Sequence, residues 1–257
     1  MAPMLNVYAL PTLVAPEALA GGTAVVIDVL RASTTIVYAL EAGATQVIPC
    51  LEVEDARAAA AGLPPGEVVL GGERRGLPID GFDLGNSPAE YTPDRVGGRT
   101  VVFTTTNGTR AILGCRSADR VLIGAFANAS AVCRQLAGIE RIHLVCAGTD
   151  GEFSRDDVLL AGLLVERIVR QVGVPYQLNA QALTARKNWR SSFALPLALG
   201  AEPLEPEVLA RELRKSAGGR NLTALGLEDD ILTAAQIDRA RGVPELDART
   251  FRIRLAP

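Results

Sequence analysis

The chain has 257 residues, of which 48% are apolar and 4% aromatic, with a formal net charge of -3 and a pI near 5.4. That length suits one large α/β domain, or a domain with a subdomain, built on a Val, Leu, Ile and Ala core. The acidic balance excludes a nucleic-acid or membrane-surface binder, which needs a basic face, and no apolar run reaches membrane-spanning length.

In chain order, the first residues lack a basic n-region and a long apolar run, so no signal peptide is expected. Residues 5–10 read as an opening strand and 24–28 as a buried strand, followed by a helix over 33–42. A strand at 46–50, an alanine-rich helix at 52–61 and a strand at 67–70 continue the alternation. Residues 71–88 then break it. This stretch is dense in Gly and Pro and reads as a long ordered loop, anchored by Leu77, Ile79, Phe82 and Leu84. Strands at 99–104, 120–123 and 141–146 alternate with helices at 106–113, 128–136 and 156–171. After Gly173 the pattern becomes helical (177–188, 206–215 and 227–240), is interrupted at Gly218-Gly219, and ends in a strand at 250–255. The expected fold is a three-layer α/β/α sandwich with a mixed, largely parallel sheet and a helix-rich C-terminal portion. It forms one domain over 1–257, with a βα core at 1–172 and a dependent completion at 173–257. The terminal strands are expected at antiparallel edges.

Several chemistries are disfavoured at once. Cys50, Cys115, Cys133 and Cys146 show no C-x-x-C spacing and read as buried free thiols of a cytoplasmic protein. His143 is the only histidine and sits inside a strand, where a hydrogen-bonded structural role is expected. Lys187 and Lys215 are the only lysines, so an anion site must use Arg. Neither a Walker spacing nor G-x-G-x-x-G is present.

Ligands of open α/β sheets bind beyond the carboxyl ends of the strands, and four polar clusters fall there. The first runs from Asp28 through Arg31, Ser33 and Thr34: a strand-terminal carboxylate, an Arg fork and hydroxyls at a helix start. The second is the 71–88 loop, with Glu73 and Arg74 as its chemical members and Asp80 and Asp83 as further candidates. Asp83 and Asn86 are expected to bond the backbone and shape the turn. The third, Thr105-Thr106-Asn107-Gly108-Thr109, runs from strand into helix and reads as a neutral phosphate cradle. The fourth spans 147–157: Ser154 and Asp156 suit a helix start, which leaves Asp157 free for a metal or a proton. Carboxylates from three elements favour Mg²⁺, and the arginines favour a small phosphorylated anion.

These clusters, in this order, resemble the 2-phosphosulfolactate phosphatase family. The resemblance rests on Asp28-Val-Leu-Arg-Ala-Ser-Thr-Thr35, Gly71-Gly-Glu-Arg74, Gly81-Phe-Asp-Leu-Gly-Asn-Ser-Pro88, Thr105-Thr-Asn-Gly-Thr109, Asp157-Val-Leu-Leu-Ala-Gly162 and Ser216-Ala-Gly-Gly-Arg-Asn-Leu222. It implies a cytoplasmic, Mg²⁺-dependent phosphatase acting on 2-phosphosulfolactate or related phosphate monoesters of 2-hydroxy acids, as in coenzyme M biosynthesis. On this reading Asp28, Glu73 and Asp157 hold Mg²⁺, directly or through waters. Arg31 and Arg74 neutralise the phosphoryl oxygens, Thr106 and Asn107 complete the cradle, and Arg220 binds the substrate's second anion. Water activated at the metal is the expected nucleophile. The alternatives are a phosphoaspartyl route on Asp28 and a non-catalytic sensor of phosphorylated anions. Nothing in the residues specifies an oligomeric state, and a homodimer is expected only as the commonest assembly.

Overall fold

A computed structural model of the chain describes residues 2–171, 175–200 and 204–256. Strand β1 (Met4–Tyr8) leads through two 3-10 turns to β2 (Thr23–Ile27), all five of whose residues are buried. An uninterrupted Ala-Val-Val-Ile run is what a strand covered on both faces requires. There follow α1 (Ala32–Glu41), β3 (Gln46–Cys50), α2 (Val53–Ala61), β4 (Val68–Arg74) and β5 (Leu77–Pro78). Next come α3 (Pro93–Val96), β6 (Thr100–Thr104), α4 (Gly108–Gly114), β7 (Arg120–Gly124), α5 (Ala129–Gln135), β8 (Arg141–Cys146) and α6 (Arg155–Gln171). The C-terminal portion holds β9 (Gln177–Leu178), α7 (Ala180–Ser192), α8 (Ala194–Ala198), α9 (Pro206–Leu213), α10 (Ala217–Ala224), α11 (Glu228–Ala234), β10 (Pro244–Asp247) and β11 (Arg252–Leu255). The change of texture expected at 172–174 lies outside the described residues.

All eleven strands join one sheet in the order β5-β4-β6-β3-β11-β10-β7-β2-β8-β1-β9. Side-chain alternation splits the core into layers. Val25 and Ile27 of β2, Leu122 of β7 and Leu144 of β8 pack with α5, α6, α7 and the C-terminal helices on one face. Ala24, Val26, Val121 and Ile123 pack on the other face with α1 and α4. Val102 and Cys50 turn instead to α2. The result is the expected α/β/α sandwich.

The strand placement departs from expectation in two ways. β1 is not an edge: it runs parallel to both β8 and β9. The C-terminal strands are antiparallel but central, because the β10–β11 hairpin lies between β7 and β3. It separates a block of five parallel strands (β7, β2, β8, β1, β9) from a block of three (β3, β6, β4) that runs in the opposite sense. Sheet twist reconciles the two. At roughly 20–25° per strand, the five steps from β2 to β6 accumulate about 100–125°, enough to swing the carboxyl ends of both blocks toward one place. The approach is close: a Cβ on Gly108, which opens α4 after β6, would stand 2.7 Å from the Asp28 carboxylate after β2.

Two local expectations are corrected. Residues 71–74 are not loop but the end of β4, which turns through Arg75-Gly76 into β5. Those two residues have φ of 54° and 82°, the signature of a type I′ hairpin turn. The glycines that suggested a loop are required by packing, since a Cβ on Gly72 would lie 2.0 Å from the Thr104 carbonyl oxygen. Gly218 and Gly219 do not interrupt a helix but lie inside α10, where a Cβ on Gly219 would meet the Leu213 carbonyl at 2.2 Å.

Candidate active site

Where the two blocks converge there is a cavity of about 540 Å³, within the usual range for small-molecule sites. Its walls come from the turns after β2, β6 and β8, from the β4–β5 hairpin, from Asn86 and from α10.

Asp28 forms part of the floor. Its amide donates to Ser33 Oγ at 3.0 Å, and its Oδ1 accepts the Ala32 amide at 3.1 Å, so the turn itself aims the carboxylate. Burial, then the nearby Asp156 and Glu73 carboxylates, push Asp28 up to about 7, against the Ala32 amide and Arg31. Glu73 is equally buried. Its Oε1 accepts the Thr106 amide at 2.9 Å and its Oε2 the Gly76 amide at 2.7 Å, which locks the hairpin to the strand-to-helix turn after β6. Arg31 lines the cavity from a buried position, donating to Asp230 Oδ2 at 2.6 Å and to the Gly76 carbonyl at 2.9 Å. The Ser87 hydroxyl donates to the other oxygen of Asp230. Thr105, Thr106 and Asn107 line the opposite side; Asn107 does not cap α4 with its own side chain, and the Thr105 hydroxyl accepts the Thr109 amide at 3.3 Å.

Other expected members lie elsewhere. The hydroxyl of Ser33 serves the Asp28 turn, and that of Thr34 donates to the Val29 carbonyl at 2.8 Å; neither residue lines the cavity. Thr109 closes a local ring with Thr105 through its hydroxyl, 2.9 Å from the Thr105 carbonyl. Asp157 accepts the Val29 amide at 2.8 Å and the Gly148 amide at 3.0 Å, tying together the turns after β2 and β8 from behind the cavity. Asp156 is the carboxylate that acts most strongly on Asp28, and it is itself held by the Ser154 and Ser216 hydroxyls and the Leu30 amide. Burial raises both Asp156 and Asp157, Asp157 well above the carboxylate range.

Arg74 points to the far side of the hairpin, donating to the Leu51 carbonyl at 2.8 Å and Thr104 Oγ1 at 2.9 Å. Arg220 is exposed and donates to the Lys215 carbonyl. Asp80 is exposed, while Asp83 accepts the Leu70 amide at 2.8 Å, a backbone bond of the kind expected. Asn86 does not follow suit. Its side-chain oxygen is buried with no partner among the described residues, and Asn86 lines the cavity.

Arg75, Asp150, Gly218 and Asn221 also line the cavity; each falls in a stretch the sequence singles out, with no role assigned to it there. Alternation along β4 separates Glu73 from Arg74, while Arg75 reaches the cavity from the turn that follows, at φ 54°. Asp150-Gly151 signals the second type I′ turn, with φ of 52° and 85°, which sets Asp150 on the wall. His143 is buried as expected, yet neither ring nitrogen has a hydrogen-bond partner among the described residues; the ring stacks on Tyr8. All four cysteines are buried and free.

No three His, Cys, Asp or Glu side chains among the described residues gather into a metal site on their own. Mg²⁺ needs fewer, taking one or two carboxylates and keeping waters and substrate oxygens. Asp28, held up near 7 by burial and then by the Asp156 and Glu73 carboxylates, together with Glu73 and the unpartnered Asn86 oxygen, fits such a hard cation. A set that includes Asp157 fits less well, since Asp157 lies behind the cavity and does not line it.

A family model described as 2-phosphosulpholactate phosphatase matches residues 8–249. A probable 2-phosphosulfolactate phosphatase of Symbiobacterium thermophilum is 44% identical over 222 residues, 86% of this chain and 89% of that one. Proteins of the same description from Deinococcus radiodurans (41% identical, 87% of each chain) and Thermotoga petrophila (39% identical, 91% and 93%) are similar to it over comparable spans.

Proposed function

We propose, since this chain belongs to the 2-phosphosulpholactate phosphatase family and is thereby a phosphoric monoester hydrolase, that it releases phosphate from 2-phosphosulfolactate or a closely related phosphate monoester of a 2-hydroxy acid, with Mg²⁺ as its metal. The observation that carries the reading is one cavity holding two buried carboxylates, an unpartnered carbonyl oxygen and two arginines, closed by the strand-to-helix turn at Thr105–Asn107. Bare acids repel a phosphate, so this combination favours an anion only when a cation stands between them.

Asp28, Glu73 and Asn86 would hold Mg²⁺, which supplies Lewis-acid charge against the phosphoryl oxygens when bound. Arg31 contributes a fixed guanidinium whose direction is set by Asp230 and Gly76. The Thr105–Asn107 turn offers hydroxyls and the Asn107 amide to the remaining oxygens. Burial, then the Asp156 and Glu73 carboxylates, disfavour the charged form of Asp28, and a cation held there would restore it. Asp157 acts as a brace that keeps the turns after β2 and β8 in register.

The test is phosphate release from 2-phosphosulfolactate and 2-phospholactate, with Mg²⁺ and after chelation. The expected outcome is turnover that falls on the order of a hundredfold or more on chelation and returns with added Mg²⁺. Activity indifferent to chelation removes the metal from the proposal. Tight binding without turnover identifies a sensor, and a trapped phosphoenzyme that Asp28→Asn abolishes identifies the phosphoaspartyl route.

A further inference from the structure

We propose that Arg75, with the side-chain amide of Asn221 beside it, forms the subsite for the second anionic group of the substrate, the carboxylate or sulfonate that a simple phosphate ester lacks. The inference rests on the phosphatase reading above and assigns the part of the cavity that chooses among its substrates.

Charge placement carries the argument. The cavity wall presents the carboxylates of Asp28, Glu73 and Asp150 and the guanidinium groups of Arg31 and Arg75. Arg31 is already committed, buried against Asp230 at 2.6 Å. Arg75 has no hydrogen bond or ion pair among the described residues, so it is the cavity cation free to meet a ligand. Its backbone is nonetheless held firmly. The next residue, Gly76, gives its amide to Glu73 and takes a bond from Arg31, so both anchors of the turn are site residues. Arg75 is exposed at the hairpin tip, and its planar fork suits a carboxylate or sulfonate.

The opposite side of this subsite is α10. A Cβ on Gly76 would lie 2.7 Å from Asn221 Nδ2, so the hairpin tip and Asn221 touch, and both line the cavity. Gly218, one turn earlier on the same helix, keeps that wall free of a side chain. The phosphoryl end has its own partners around Asp28, Glu73 and Thr105–Asn107, which leaves Arg75 and Asn221 for the other end of a short molecule.

The measurement is a ratio: kcat/KM for 2-phospholactate over kcat/KM for glycerol 2-phosphate, which carries no second anion. Arg75→Asn removes the charge and tolerates the left-handed backbone at this position, where φ is 54°. It should lower the ratio by about 10- to 100-fold, mainly through KM for 2-phospholactate. Arg75→Lys should recover part of that loss, and Asn221→Ala should lower the ratio less than Arg75→Asn does. Unfolding midpoints of all three variants are compared first, so that a damaged fold is not read as lost recognition. A ratio unchanged in an active Arg75→Asn enzyme overturns the subsite and leaves the phosphatase reading standing. Hydrolysis by the wild-type protein of none of 2-phosphosulfolactate, 2-phospholactate and glycerol 2-phosphate overturns that reading itself, and the subsite with it.

Discussion

Removing Asp230 should damage the protein far more than its distance from any substrate suggests. Arg31 and Asp230 are each 4% exposed, so Asp230→Ala leaves a buried guanidinium without its partner, at a cost of about 3–5 kcal/mol. Urea unfolding should show a correspondingly lower midpoint, and kcat/KM should fall as well, because Arg31 also holds the Gly76 carbonyl. A midpoint equal to wild type would mean that the pair is not formed in solution. Gly108 offers a second case, because a Cβ there would stand 2.4 Å from that of Ala32 and 2.7 Å from Asp28 Oδ2. Gly108→Ala should therefore cut turnover by displacing the Asp28 carboxylate. Ala32→Gly added to it should restore part of the loss, a coupling that two independent effects would not give. The sequence made these residues unequally legible. Asp28 announces itself as a carboxylate at the end of an apolar strand. Asp230 is one of three consecutive acids opening a helix, where the helix dipole accounts for all three alike, and only tertiary placement singles it out.

The β4–β5 hairpin shows how one misread element moves a site by one residue. Glycines suggest a loop when only local conformational freedom is considered. In this strand they are demanded by close approach, of Gly72 to the Thr104 carbonyl and of Gly71 to the Tyr91 hydroxyl, where a Cβ would stand 2.2 Å away. That pressure comes from residues distant in sequence, and local pattern does not encode it. Once the strand is extended through Arg74, alternation sends Glu73 to the cavity and Arg74 away from it, and the turn that follows sets Arg75 on the cavity wall. Arg74 then acts as a staple across strands, bonded to Leu51 and Thr104. Arg74→Ala should lower stability by about 1–3 kcal/mol, from lost charge-assisted hydrogen bonds, while the substrate ratio that reads Arg75 keeps its wild-type value. A fall in that ratio as large as the one from Arg75→Asn would place Arg74 in the site after all.

At the scale of the whole molecule, alternating βα units were readable because each strand and helix carries its own period. Sheet order was not, because it depends on which strands meet late in folding. His143 is buried in the middle of β8, and burial, then Arg141, holds its pKa below the ordinary value. Below pH about 6.5 the unfolded chain binds a proton that the native ring refuses, so stability falls with acidification, by at most about 1.4 kcal/mol per pH unit from this group. The ring-proton shift of this only histidine should titrate with a midpoint below that of a free imidazole in the folded protein; a titration centred near 6.5 would contradict its burial. The C-terminal hairpin carries the larger consequence. β10 and β11 bridge the two blocks between β7 and β3, and Arg252 and Arg254 reach across to Gln46. Deleting residues 243–257 would therefore not trim an edge but part the sheet at its centre, exposing Leu246 and Ile253 positions of the core and separating the blocks whose meeting makes the cavity. Such a variant should lose cooperative unfolding and phosphatase activity together. A truncation that still unfolded in one sharp transition and still turned over substrate would show that the two blocks join without the hairpin, through the contacts of α1 and α4 alone.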